Sequence, residues 1–291
     1  MYYIVYGFLY LISLLPIGVL YLLSDLIYII VYYLVGYRKP VVRQNLLIAF
    51  PHKTEKERIK ISKKFYKNFC DTFIETIKFI SAPEKFFRKR FAADFSVVHQ
   101  LHQTGKSVQV HLGHNFNWEL ANLALPLFIP YKILSVYRPL NNKIIDRLFK
   151  KIRRRFGTHL IASSNMKNDM LPHRSTQYFI ALIADQSPHT PGKAYWVNFF
   201  GKPTAFLKGP EKAARINNFP VIFAHFTKTK RGHYTGHGTL AEMSPKDLPE
   251  GELTKKYAQF LERVITEHPE VWLWSHRRWK KKRKPEYGKV I

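Results

Sequence analysis

Apolar positions along this chain fall into three regimes, and each predicts a different kind of structure. From Met1 to Tyr37 apolar and aromatic residues are nearly unbroken, with Asp25 the only charge. From Lys53 to about Ile80 the pattern becomes periodic. Ile59, Phe65, Phe69, Phe73, Ile77 and Ile80 recur at three- and four-residue spacing between lysines, which predicts an amphipathic helix. Thr54 ahead of Glu55 and Glu57 supplies its N-terminal cap, and Pro83 ends it. Phe86 to Arg90 then combines aromatic and basic residues, a composition that suits either lipid headgroups or a partly buried helix.

From Ser107 onward, short apolar runs alternate with longer segments. The runs Ser107–His111, Ile133–Tyr137, Thr158–Ile161, Tyr178–Ala184, Val221–Phe226 and Tyr234–Leu240 predict strands. Helical patterns cover Trp118–Leu127, Asn142–Phe156, Ser164–His173, Phe206–Asn217 and Leu253–Glu267. This alternation predicts an α/β fold: a mainly parallel central sheet flanked by helices, with functional groups at the C-terminal strand ends. No repeat, low-complexity tract or linker divides it. The expected organisation is an N-terminal membrane anchor, residues 1–37, followed by one cytoplasmic α/β domain, residues 38–291.

The first segment is long enough to cross a bilayer, which needs roughly 20 apolar residues. It also fits a helix bent at Pro16, or two short helices lying in one leaflet. It lacks the basic start and small-residue cleavage site of a signal peptide. Tyrosines at both ends suit the interfacial belts. Arg38, Lys39 and Arg43 follow directly, and by the positive-inside rule they place the remainder in the cytoplasm.

Charge narrows the partners. Lys and Arg number 47 against 20 Asp and Glu, a formal charge of +27, so a polyanion is an expected neighbour. Two basic blocks, Lys150–Arg155 and Arg277–Lys284, carry much of it. Arginine, lysine and tryptophan together suit nucleic acid, but no nucleic-acid module accompanies them. Anionic inner-membrane lipids and an acidic carrier protein fit an anchored chain better, and no nucleic acid is expected. The single cysteine, Cys70, excludes an internal disulfide and a cysteine-based zinc site.

Candidate chemistry concentrates in His111-Leu112-Gly113-His114-Asn115-Phe116-Asn117-Trp118-Glu119. A strand-turn-helix setting exposes His114 at a strand end and aims fresh helix N–H groups at an anion. An imidazole there takes a proton from an alcohol near neutral pH, and a carboxylate that reaches its ring, Glu119, fixes its tautomer. Alcohol attack on a thioester needs only that base and a home for the oxyanion, so no metal and no cofactor is implied. His111 is the competing histidine. Arg138, after the strand Ile133–Tyr137, can bind a phosphate or the oxyanion through its bidentate fork, and equally can form a surface ion pair. Asp185 ends an apolar strand, where it can position Arg138 or simply form a turn.

These residues resemble the bacterial late acyltransferases of lipid A biosynthesis, whose signature is His-x-x-x-x-Asp/Glu in a Gly-His-x-x-Asn-Trp-Glu-like setting. Gly113-His114 and Asn117-Trp118-Glu119 fall in register with it. Val136-Tyr137-Arg138-Pro139 with Asn142, Ala184-Asp185-Gln186, Phe199-Phe200-Gly201-Lys202-Pro203 and Trp274–Lys280 follow in the family's order, and the apolar N-terminus matches as well. The resemblance implies a glycerol-3-phosphate-acyltransferase-like fold with an N-terminal membrane helix. It further implies transfer of a fatty acyl chain from acyl carrier protein or acyl-coenzyme A to a hydroxyl of a membrane glycolipid, a lipid A precursor or a relative. The implied catalytic pair is His114 and Glu119, with Arg138, Asp185, Gln186 and Asn117 binding substrate. Acylation of a lysophospholipid or an ornithine-type lipid, or a non-enzymatic binder of anionic lipid or nucleic acid, are the remaining readings.

Overall fold

The computed structural model describes residues 1–291. Pro16, which has no N–H to continue a helix, splits the apolar N-terminus into a hairpin of α1 (Tyr2–Leu14) and α2 (Ile17–Ile29). The second helix runs on through a π-helical turn, Ile30–Val35, and stops at Gly36, whose φ of +63° suits a residue without a Cβ. Ile17–Val35 is apolar and long enough to cross a membrane. Helix α3 (Lys39–Ala49) was not anticipated, because Pro40 reads as a boundary. Proline is tolerated in a first helical turn, and Val42, Leu46 and Ala49 supply the buried stripe. Helix α4 (Glu55–Lys78) begins as expected, with a complete capping box in which Thr54 and Glu57 satisfy each other's backbone N–H.

Three short elements follow that no period could reveal: α5 (Glu84–Arg90), strand β1 (Phe91–Ala93) and α6 (Ser96–Gln103). Phe87 is fully buried, so α5 is a core-packed helix. The expected alternation then appears: β2 (Val108–Leu112), α7 (Trp118–Ala124), β3 (Lys132–Tyr137), α8 (Lys143–Arg153), β4 (His159–Ala162), α9 (Met166–Met170) and β5 (Tyr178–Ile183). A hairpin of β6 (Tyr195–Phe199) and β7 (Lys202–Phe206) intervenes, turning through Phe200 and Gly201, both at positive φ. Its second strand takes the start of the segment expected to be helical, so α10 begins later (Gly209–Asn217). Strands β8 (Val221–Lys230) and β9 (His233–Glu242) and helix α11 (Glu252–Glu267) complete the chain.

The seven-stranded sheet has the order β1-β9-β8-β2-β5-β3-β4, and only the β8–β9 pair is antiparallel. Its strands β8, β2, β5, β3 and β4 therefore point one way, and their C-terminal ends form a common rim. Valine, isoleucine and phenylalanine along β2, β5 and β8 are covered on one face by α7 and on the other by α11 and the β6–β7 hairpin. The β2 row is buried at every position, as a central parallel strand requires.

A buried carboxylate ties these layers together. Glu75 on α4 accepts from Tyr21 of α2 at 2.8 Å, Tyr234 of β9 at 2.8 Å and Asn117, ahead of α7, at 2.8 Å. Burial raises its carboxyl, outweighing those hydrogen bonds and the nearby Lys228 charge. A carboxyl raised above its ordinary 4.5 contributes stability that is fully present below that pH and fades as pH rises through the folded value. Glu75→Gln removes the titration. Its melting temperature in detergent is therefore expected to rise relative to wild type as pH increases from about 5 through the neutral range. A wild-type-minus-variant difference that stays constant over that range would show that the carboxyl is not shifted.

Candidate active site

Strands β2 and β5 are parallel neighbours with Leu112 opposite Ile183, so the residues two beyond each, His114 and Asp185, emerge side by side. The Asp185 carboxylate accepts the His114 ring Nδ1–H at very short range and the His114 backbone N–H at 2.8 Å. Trp272 donates its indole N–H to the same carboxylate at 2.8 Å. Burial alone would raise Asp185, but the imidazole charge and these donors prevail and hold the carboxyl at about 2. Such a group stays ionised at any physiological pH and pins one imidazole tautomer. Gly113 makes this approach possible. A Cβ there would lie 2.8 Å from Leu261 and 3.3 Å from Asp185 Oδ2.

The second ring nitrogen, Nε2, faces the cavity and receives the Gln186 amide at 3.0 Å. Trp118 stands edge-on to the ring at 5.3 Å and walls that side. His276 accepts the Ser187 N–H at 3.2 Å and is held neutral, its value pushed down to about 4 by burial. It thereby fixes the loop after Asp185. His111 projects from the opposite face of β2, buried between Phe223 and Tyr257 and bonded to Gln109 at 2.6 Å. Desolvation lowers it to about 3, so it is a neutral core residue and His114 is the histidine at the site.

Two expectations are corrected here. Glu119 does not reach the His114 ring. It is 3% exposed, points towards α8, and takes the Arg153 guanidinium in a bidentate pair, with Nε to Oε2 at 2.9 Å. A buried carboxylate needs a cation, and α8 presents Ile145, Phe149 and Arg153 at four-residue spacing along its cavity face. Asn117 does not line the cavity. Its oxygen accepts the Glu119 and Leu120 N–H groups as the α7 cap, and its amide nitrogen donates to Glu75. The helix N–H groups expected to face an anion are therefore already satisfied.

Arg138 stands on the rim with its guanidinium 2.6 Å from His189 Nε2, and Gln186 and Ser187 lie beside it on the cavity wall. The cavity itself has a volume of about 1540 Å³ and His114 lies on its wall. Part of the lining is apolar and includes Leu112, Ala224, Phe226 and Phe91 on the sheet face. The ends of β3 and β4 contribute Arg138, Asn141, Ser163 and Ser164, and Arg153 also lines it. Sequence reasoning missed Trp272 and Arg153 as site residues. The former lies just upstream of a quoted motif, and the latter was hidden inside a basic block read as surface.

Gly113→Ala forces the Leu261 methyl and the Asn115 amide oxygen, at 2.8 Å and 2.9 Å from the new Cβ, to move and crowds Asp185. We expect a loss of about 1–3 kcal/mol of stability, measured by thermal denaturation in detergent, since overpacking costs that much at a close contact. An unchanged midpoint would mean that the turn relaxes freely.

Residues 1–281 match the family described as bacterial lipid A biosynthesis acyltransferase. The chain is 23% identical over 246 residues to a lipid A biosynthesis palmitoleoyltransferase of Escherichia coli K12, covering 84% of this chain and 79% of the relative. It is 24% identical over 235 residues to a lipid A biosynthesis acyltransferase of Haemophilus influenzae, covering 79% and 72% respectively. With the match spanning both the N-terminal hairpin and the whole α/β body, the chain belongs to the bacterial lipid A biosynthesis acyltransferase family and is an acyltransferase.

Proposed function

We propose that this acyltransferase moves a fatty acyl chain from an acyl thioester, carried by acyl carrier protein or coenzyme A, to a hydroxyl of a lipid A precursor or related glycolipid. It would do so at the cytoplasmic face of the bacterial inner membrane. The observation that carries the reading is the His114–Asp185 pair on the wall of a cavity that is lined by apolar side chains and also by Arg138 and Arg153. The apolar lining would accept an alkyl chain by burial, and the two arginines a phosphorylated sugar.

In the reaction, the acceptor hydroxyl displaces the Gln186 amide from His114 Nε2 and gives its proton to that nitrogen as its oxygen attacks the thioester carbonyl. Asp185 stabilises the resulting imidazolium. Collapse of the tetrahedral intermediate forms the ester C–O bond and breaks the C–S bond, and the imidazolium protonates the departing thiolate. Arg138 and Arg153 supply positive charge on the acceptor side for phosphate or for the oxyanion. Glu119 acts through Arg153, as a positioning residue.

The basic blocks fit this reading better than nucleic-acid binding. Lys150 pairs with Asp146, Lys151 covers Tyr6, Arg153 holds Glu119 and Arg155 donates to the Phe79 carbonyl. In the C-terminal block Arg278 is buried over the Phe206 ring. Few cations of the first block are free to track a polynucleotide backbone, while Arg277 and Lys280 to Lys282 stay at the surface, where they would serve anionic lipids and an acidic carrier.

A membrane assay with labelled acyl carrier protein and a lipid A precursor tests the reaction. Wild type is expected to yield a new acylated product and His114→Ala none. Failure of the folded wild type on this acceptor would overturn the lipid A assignment. Double-substitution cycles test the site. Asp185→Asn should lower kcat by about 10³-fold or more. Glu119→Ala and Arg153→Ala should each impair turnover, with the double variant little worse than either, while the Glu119→Ala and Asp185→Asn losses add. Strong coupling of Glu119 to Asp185 instead would restore Glu119 as the direct partner of His114.

A further inference from the structure

Helix α2 is inverted relative to an ordinary surface helix. The stripe it turns to the protein is Leu20, Ser24, Tyr28 and Tyr32, all buried, at four-residue spacing. The stripe it turns outward is aliphatic: Val19, Leu22, Leu26 and Ile29 are 46%, 71%, 54% and 49% exposed. A helix at a water interface carries its polar residues on the outer side. In α1 the pattern repeats, with Ile4, Phe8 and Leu11 exposed while Ser13 is buried and its carbonyl accepts from Lys78 and Ser81. The two helices thus present one continuous apolar face, which calls for an apolar covering phase.

The rim of that face identifies the phase. Tyrosines along both helices lie under cations from the body of the protein: Arg147 is 4.1 Å from the Tyr2 ring, Lys151 3.7 Å from Tyr6, and Arg231 4.3 Å from Tyr21. Lys39 and Lys63 do the same for the exposed Tyr33, each at 5.8 Å. Paired aromatic rings and basic side chains are the chemistry of an anionic membrane interface. In a helix that crosses a bilayer they gather at its two ends. Here they accompany the hairpin from its first turn to its last.

The middle of α2 is also held by charge. Ser24 donates to Asp71 of α4 at 2.8 Å, and Asp25 pairs at 2.8 Å with Arg231 in the β8–β9 turn, which also pairs with Asp71. Lys228 completes the cluster, 2.9 Å from Asp71. If α2 crossed the bilayer while docked, these charges and the lysines of α4 would lie at hydrocarbon depth, where they are strongly disfavoured.

We infer that the hairpin of α1 and α2 lies in the plane of one leaflet of an anionic membrane, aliphatic face down, so that both chain termini remain on the same side. This rests on the membrane-surface reading above and specifies the surface and its disposition. The test places one epitope ahead of Met1 and another after Ile291 of the full chain, and applies protease to spheroplasts and to inverted inner-membrane vesicles. Loss of both epitopes in inverted vesicles, with both protected in spheroplasts, is the expected result. Loss of the two epitopes from opposite sides would overturn the inference. Loss of both from the outer side would leave the in-plane disposition standing and overturn only the cytoplasmic orientation. A chain found in the soluble fraction would overturn the membrane reading and the inference with it. A second variant, Leu22→Glu with Leu26→Glu, alters only outward-facing side chains. It should keep its circular dichroism spectrum and bind vesicles of phosphatidylethanolamine and phosphatidylglycerol about tenfold or more weakly. Undiminished binding by the folded variant would also overturn the proposal.

Discussion

The candidate active site depends on one carboxylate that folding removes from water. Asp185 is 2% exposed and receives three donors from two stretches of chain: the backbone N–H and imidazole of His114 after β2, and the indole of Trp272 beyond α11. An unpaired buried carboxylate would carry a large desolvation penalty, so these groups must converge for the fold to form at all. The His114 tautomer and ring orientation are thus set by folding, before any substrate arrives. The level ends of two parallel strands make the meeting possible, and Gly113 leaves room for it.

The same economy runs through the chain's acidic residues. Only 20 are present, and five are buried: Asp71, Glu75, Glu119, Asp185 and Glu211. Each joins segments far apart in sequence. Glu211 on α10 accepts the Gly251 and Thr254 N–H groups at the start of α11, and Asp71 and Glu75 bind the N-terminal hairpin to α4 and the sheet. Among the cations only Arg278 is buried. Folding therefore withdraws negative charge from the surface and leaves most of the positive charge there, so the exposed surface is more basic than the net charge alone conveys.

What was legible in the sequence follows from what each signal measures. Periodicity reports burial, so the long α4 and the strands β2, β3, β5 and β8 stood out, and with them the parallel rim that holds His114, Arg138 and Asp185. Strand β1 has three residues and α6 eight, too short for a period to register. The partner of His114 was not legible either. The spacing from His114 to Glu119 suggests a local contact, but a local carboxylate competes with one delivered by the neighbouring strand, and strand register is a tertiary property. Glu119 was free to turn away only because α8 brings Arg153 to it. Asn117 was misread for a related reason. Its residue type fits both a ligand contact and a helix cap, and the N–H groups of α7 claimed it first.

That cap has a wider consequence. Asn117 is shared between two structures: its oxygen starts α7, the helix that carries Trp118 and Glu119, and its nitrogen is held by Glu75. Glu75 in turn holds Tyr21 in the middle of the hairpin's second helix. The path from the apolar face to the wall of the cavity is thus three hydrogen-bonded side chains long, half-buried Tyr21 and buried Glu75 and Asn117. Buried networks of this kind are stable only when every member is satisfied, because a lone donor or acceptor in a low-dielectric interior is costly. Detaching the hairpin would strip Glu75 of one donor and expose an already strained carboxylate beside the α7 cap. The N-terminal hairpin and the candidate active site are therefore parts of one polar framework, and the position of α7 over the cavity is set in part by how the hairpin is seated.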